Sequence, residues 1–527
     1  MAPPKENRYD LIVIGSGIGG LVVASLMAQI KAQRVLVLEQ HFKLGGLTHS
    51  FTRPGGRTWD VGLHYVGEMG PGEFGRLLLD LVTRAEVRWQ KMSPPFETFV
   101  YPGLTFAVPD GKEAYQEALI ARFPREKAGI RRYFSDVGAV ARWLGMRIVL
   151  QAAPAPIRRL AGVARPRERA LAFMTTAEYL RRNFADPRLK ALLASQWGDY
   201  GLPPGKSAFA IHALIVAHYL QGGYYPVGGA QKIAERVARI VEEAGGRCLV
   251  NHRVEEILVR KGTAVGVRVK TPRGVREFHA PRIVSDAGAY TTYARLLPPD
   301  VPLPFRDELE HAIEGGKSFV TVYLGLKESP EQLGFKGGNY WIFADYDHDA
   351  LYRESEGLLE GRVGYCFLSF PSLKDPAATA PTAELITTLD HAAVKAWRDR
   401  PWLKRGDDYM ELKKRIGRAL IEFVDGYRPG FKDLVDYWEV STPVTIETFT
   451  GHPRGAAYGL PATPDRFRYA WLKSRTPVKH LYLTGADAGT LGVLGAAVGG
   501  LATSAHLLGA RGFLALLQRA RQYTKPA

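Results

Sequence analysis

Apolar residues run from Leu11 to Ile14, stop at Gly15-Ser16-Gly17-Ile18-Gly19-Gly20, and resume at helical spacing from Leu21 to Ala32. A second apolar run, Arg34 to Leu38, ends at Glu39. The pattern predicts a buried strand, a glycine turn, a helix and another buried strand. Trp59 to Gly67 alternates like a strand, and Pro102 to Pro109 reads as a hairpin before Asp110-Gly111. Helical spacing dominates from Lys112 to about Gln221 and returns from Ala230 to Ala244, where Gly245-Gly246 caps it. Val254 to Val269 alternates as a hairpin through Lys261-Gly262, and Ile283 to Gly288 is a short buried strand running into a small-residue turn. Ser318 to Leu326 and Arg362 to Phe370 read as strands of a second sheet; His391 to Arg398 and Tyr409 to Tyr427 read as helices. His480 to Thr484 is a last strand, and a small-residue helix follows it to about Leu508. The order predicts an α/β chain whose Rossmann-like domain is discontinuous, built from residues 1–110, 222–290 and 441–527. A basic helical segment, 111–221, and an α+β domain, 291–440, are inserted between those pieces.

Strand, glycine turn, helix, strand and acid form a dinucleotide-binding fingerprint in its required context. Gly15 permits the tight turn, Gly17 lets backbone approach a pyrophosphate, and Gly20, with Gly19 beside it, lets the helix pack closely. The helix N-terminus offers unpaired N–H groups to that pyrophosphate. Glu39 lies nineteen residues past Gly20, where a carboxylate accepts from ribose hydroxyls. This stretch alone leaves FAD and NAD(P) open. The C-terminal strand decides between them: it delivers Gly485-Ala486-Asp487, and Gly489, Gly492 and Gly495 then open the helix. A second carboxylate and a second helix N-terminus suit an extended dinucleotide, with Asp487 on a ribitol or ribose hydroxyl and the helix dipole stabilising charge on a reduced flavin.

Length and charge add three points. At 527 residues the chain exceeds a single core, and 46% hydrophobic with 23% charged residues is an ordinary globular composition. Cys248 and Cys366 offer no disulfide framework and no metal spacing, as expected of a reducing, cytoplasmic setting. The short polar lead before Tyr9 leaves no room for a secretory core, and no uncharged apolar run of about eighteen residues predicts a spanning helix. The net charge of +17 is concentrated between Arg122 and Lys190, which carries sixteen Lys/Arg against five Asp/Glu. No nucleic-acid-binding signature accompanies it. Its apolar residues Val140, Trp143, Leu144, Ile148, Val149 and Leu150 lie among Arg142, Arg147, Arg158 and Arg159, with Pro154 and Pro156 between. Two readings follow: a peripheral contact with an anionic membrane at its inner face, or a solvated basic face on a helical domain.

Several stretches together resemble one family. The glycine turn with Glu39, Trp59 to Gly67, Tyr225-Pro226-Val227-Gly228-Gly229, Ser441-Thr442-Pro443 with Pro453-Arg454-Gly455-Ala456, and Thr484 to Asp487 occur in the order seen in FAD-dependent phytoene desaturases, carotenoid isomerases and retinol saturases. Gly62-Leu63-His64-Tyr65 and Pro453 to Tyr458 lean toward the retinol-saturase-like branch. The resemblance implies a GR2-type FAD domain, with Gly15, Gly17, Gly19, Gly20, Glu39 and Gln40 at the adenosine and pyrophosphate end. It further implies Gly45 and Gly46 near pyrophosphate and flavin, Val254 against the adenine, and Gly485, Asp487, Gly492 and Val493 around ribitol and ring. The expected substrate is an apolar polyene or related lipid, whose carbon–carbon double bonds are saturated, desaturated or isomerised through flavin N5. Saturation requires a proton as well as a hydride, and His64 and Tyr65 are the candidates to supply it. His64 as a structural histidine is the alternative, and desaturation or isomerisation could proceed with no acid. Amine oxidation on the same fold, and a lipid- or flavin-binding protein without turnover, are the competing functions. One complete fingerprint predicts no dedicated NAD(P)H domain, which leaves the electron partner open.

Overall fold

β-Branched and leucine residues of the first strand bury both of its faces, and this sets the architecture. The computed structural model describes residues 7–150 and 165–523, apart from the side chains of 149 and 150. Five parallel strands lie in the order Leu481–Leu483, Ile283–Ser285, Leu11–Ile14, Val35–Leu38 and Arg247–Leu249. Alternate side chains of a strand point to opposite faces. Leu11, Val13, Val35 and Val37 pack on the helices Ile18–Lys31, Gln231–Glu243 and Gly492–Ala520. Ile12, Ile14, Leu36 and Leu38 pack on an antiparallel sheet of Arg253–Arg260, Thr263–Thr271 and Gly274–His279.

The second main sheet has seven strands, in the order Val435–Ser441, Ser318–Leu326, Thr382–Leu389, Tyr365–Ser369, Asn339–Phe343, Glu97–Tyr101 and Leu104–Val108. Helix Asp407–Tyr427 covers one face. Helices between Lys112 and His218 cover the other, against Phe99, Trp341, Phe343, Phe367 and Ile386.

Three sequence expectations change. Residues 97–108 were grouped with the dinucleotide domain, yet they form a hairpin of the seven-stranded sheet, where Asn339–Phe343 pairs with Glu97–Tyr101 in parallel. Trp59 to Gly67 is a strand only to Asp60. Past Val61, whose N–H bonds His49 O, the chain leaves the ladder, because the side chains of His64 and Tyr65 turn into a buried polar network. Finally, Gly492–Tyr523 is long and apolar enough by length and composition to cross a membrane, against the expectation of no such helix. Half of its most apolar stretch is buried inside the protein, and its helix is broken at Gly509.

Val140, Trp143, Leu144 and Ile148 are at most 7% exposed and belong to the helical core, so they offer no apolar face to lipid. Pro154, Pro156, Arg158 and Arg159 lie outside the described residues.

Candidate active site

Glycines at the first turn make a wall of backbone. Gly15 has φ +89, a conformation that favours glycine, and a Cβ at Gly17 would stand 2.5 Å from Asp286 Oδ2. A Cβ at Gly46 would stand 2.9 Å from Gly17 Cα. The walls therefore lie where side chains would fill the space, which is the shape a pyrophosphate needs. Above this wall opens a cavity of about 1260 Å³ between the two main sheets. Pockets for a single small ligand usually measure about 300–1,000 Å³, so this one has room for a dinucleotide and a second molecule.

Eleven of the residues expected to hold a dinucleotide line this cavity: Gly15, Gly17, Gly19, Glu39, Gln40, Gly45, Gly46, Val254, Asp487, Gly492 and Val493. Gly20 and Gly485 stand behind the wall and serve close packing. A Cβ on Gly20 would reach 2.6 Å from Gly15 O, and one on Gly485 2.2 Å from Asp286 Oδ1. Glu39 is tied in place: Oε2 accepts from Ser16 N at 2.9 Å and Ser16 Oγ at 2.6 Å, and Oε1 accepts from His41 N at 2.8 Å. Burial still raises its carboxyl above the usual range. Ser16 Oγ also accepts from Gly45 N at 3.0 Å, which links the two glycine turns. Gln40 donates to Phe449 O at 2.8 Å. Asp487 Oδ2 accepts from Ala289 N at 2.8 Å, and Oδ1 from Leu460 N at 3.0 Å and Arg466 at 3.3 Å.

Asp286, which the sequence reading passed over, sits between the two turns. Burial pushes its carboxyl up to about 8, with the charges of Glu39 and Asp487 adding to the rise and the Gly20 N–H opposing it. At neutral pH it is a neutral O–H donor, so it does not repel an anionic pyrophosphate.

The far lobe of the cavity is aromatic, with Phe319, Trp341, Tyr365, Phe367, Ile386 and Tyr458 on its walls. His64 lines it, held by its Nδ1 at 2.7 Å from Glu384 Oε2. Tyr65 does not line the cavity: its ring stacks on Tyr219 at 4.4 Å, and its hydroxyl is enclosed by Glu97 and by Asp199, 2.6 Å away. Tyr65 therefore cannot touch a molecule in the lobe, although the sequence put it forward as an acid. Asp199 does line the lobe. No local pattern announces Asp199 or Glu97, because the polar cluster forms only when a hairpin, a helical turn and a loop meet. Asp286 carried a signal, since it directly follows the predicted strand Ile283–Ser285.

Comparison with known proteins matches residues 18–508 to the flavin-containing amine oxidoreductases. The chain is 33% identical over 525 residues to all-trans-retinol 13,14-reductase of Rattus norvegicus, covering 95% of this chain and 86% of that protein. It is 27% identical to prolycopene isomerase 1 of an Oncidium hybrid cultivar, covering 91% of this chain and 80% of that protein. Among solved structures, wild-type putrescine oxidase bound to putrescine aligns with a TM-score of 0.63 at 16% identity, over 95% of this chain and 99% of that one, a likeness of fold alone.

Proposed function

The chain belongs to the flavin-containing amine oxidoreductase family, in its retinol-saturase-like branch, and uses FAD; from that premise we propose that it acts on carbon–carbon double bonds of a retinoid- or carotenoid-like isoprenoid. The observation that carries this reading is the single cavity in which the backbone cradle runs on into a lobe of aromatic and aliphatic walls. Such a lobe binds a long apolar molecule by burying its surface, and it offers the conjugated chain ring faces to lie along.

We assign the adenosine and pyrophosphate end to Gly15, Gly17, Glu39, Gln40 and Gly46, and the ribitol to Asp487 with Gly492 and Val493. Bound FAD supplies hydride exchange at the ring. The protein's own share is positional. Asp286 offers an O–H to the phosphates, His64 is fixed by Glu384, and the apolar lobe excludes water from the reacting bond. Anaerobic photoreduction of the holoenzyme followed by all-trans-retinol tests this. Reoxidation of the flavin together with loss of polyene absorbance is expected; failure of the polyene to reoxidise it, together with anaerobic reduction of the oxidised flavin by putrescine, would overturn it.

The mouth of the same cavity suggests how such a substrate arrives. Phe42, Trp402, Leu403 and Met410 are exposed there, at 50%, 44%, 80% and 49%, beside Lys43, Lys404 and Lys413. Apolar side chains ringed by lysines on a chain of net charge +17 suit an anionic lipid surface. We infer that any peripheral membrane contact is made by this rim and not by the basic segment around Trp143.

A further inference from the structure

Asp199 sits in the helical turn Ser195–Tyr200 and presents its carboxyl to the aromatic lobe. Its Oδ2 lies 2.6 Å from the Tyr65 hydroxyl, which also bonds Glu97 Oε1. A phenol has one proton to give, and two carboxyls compete for it. Glu97 is the better acceptor. It is fully buried, and its two oxygens also receive Gln196 Nε2 at 2.7 Å and Trp341 Nε1 at 2.9 Å. Burial pushes the Glu97 carboxyl up to about 7, but three converging donors and Lys374 oppose that rise, whereas Asp199 has only the Tyr65 contact to oppose its own. The Tyr65 proton therefore points at Glu97. The remaining contact, 2.6 Å between the Tyr65 oxygen and Asp199 Oδ2, is a hydrogen bond only if Asp199 carries a proton. Otherwise two sets of lone pairs would face each other in an apolar setting. Among the described residues no other hydrogen bond reaches Asp199 and no cation pairs with it. Burial and the Glu97 charge both drive its carboxyl well above the usual range.

We propose that Asp199 is the catalytic acid of a double-bond reduction, with Tyr65 and Glu97 as the positioning pair that keeps it neutral and aimed into the lobe. The proposal rests on the function inferred above. Reducing C=C takes a hydride and a proton, and the hydride comes from reduced flavin, which is thereby oxidised. The hydride's electron pair forms one C–H bond, and the π pair of the alkene takes the Asp199 proton to form the other. The O–H pair stays on Asp199 as carboxylate, which regains a proton from solvent once product leaves. Asp199 thereby fills the role for which the sequence offered His64 and Tyr65. His64 has its Nδ1 held by Glu384, and Tyr65 has its O–H committed to Glu97.

The test uses purified holoenzyme and the variants Asp199→Asn and Glu97→Gln. At neutral pH the infrared spectrum of wild type should contain the carbonyl stretch of a protonated carboxylic acid that disappears in Asp199→Asn. Asp199→Asn should keep its flavin, showing that it is folded, while reoxidation of its photoreduced flavin by all-trans-retinol slows by roughly 100-fold or more, the usual loss for a general acid. Turnover within twofold of wild type, or a carbonyl band that survives in Asp199→Asn and vanishes in Glu97→Gln, would overturn the assignment. Failure of the wild type itself to react with the polyene sinks the function reading instead, and the infrared band still decides where the proton resides.

Discussion

Lys374 sits beside the Asp199 cluster with all three of its protons committed, to His64 O at 2.9 Å, Asn339 Oδ1 at 2.5 Å and Ser369 Oγ at 2.6 Å. Burial pushes its ammonium down from 10.5 to about 7, against the pull of Glu384, Asp60 and Glu97. The unfolded chain keeps this proton up to its ordinary value, so across that window the unfolded state binds more protons and folding stability rises with pH. Relative to Lys374→Met, wild type should gain up to about 1.4 kcal/mol per pH unit between about pH 7 and 9, read from denaturant unfolding of both proteins. At the other end of the cavity, Glu39→Ala strips three donors of their acceptor, two of them backbone N–H groups. Unmade bonds of that kind cost about 1–3 kcal/mol, so FAD should bind roughly tenfold weaker or worse, measured by flavin fluorescence on titration. The residues of this end were legible in the sequence because Gly15, Gly17 and Glu39 act within one local unit. Asp199 and Glu97 were not: residues 102 positions apart meet only through tertiary packing, and an isolated acid looks like any surface acid.

Elements whose chemistry is written in consecutive residues were equally legible. The strands Leu11–Ile14 and Val35–Leu38, the hairpin through Lys261-Gly262, and the helix that follows Asp487 all stand where hydrophobic spacing put them. Residues 97–108 failed that test for a physical reason. Their alternation announces strands, and nothing in it says which sheet they join, because a parallel partner at Asn339–Phe343 lies more than two hundred residues away. Packing between elements leaves a sharper mark. Where helix Gly492–Ala520 crosses helix Ile18–Lys31, a Cβ at Gly500 would stand 2.6 Å from Gly19 O and 2.7 Å from Val22 Cβ. Gly500→Ala must push the helices apart, and overpacking of this kind costs about 1–3 kcal/mol. The melting temperature should fall, and should fall further without flavin, since the same crossing supports the pyrophosphate turn.

Across the whole molecule, charge and apolar exposure coincide at the cavity mouth. Replacing Trp402 and Leu403 with serine should abolish flotation with anionic vesicles at low salt while leaving flavin content and reactivity toward detergent-dispersed polyene unchanged. Flotation that persists in this double variant would move the contact elsewhere. The five-stranded sheet has a consequence of another kind. Its edge strand, Leu481–Leu483, hydrogen-bonds Ile283–Ser285, which in turn pairs with the first strand of the chain. At synthesis rates of roughly 5–20 residues per second, Leu11–Ile14 waits roughly 25–95 s for that edge to exist. A chain interrupted before Leu481 lacks the edge strand and Asp487, and so has no means of completing the cofactor's cradle. Because a ligand that binds only the folded form raises its population by mass action, flavin supply then governs how much of this protein survives quality control. A cell short of riboflavin would hold less of the polypeptide itself.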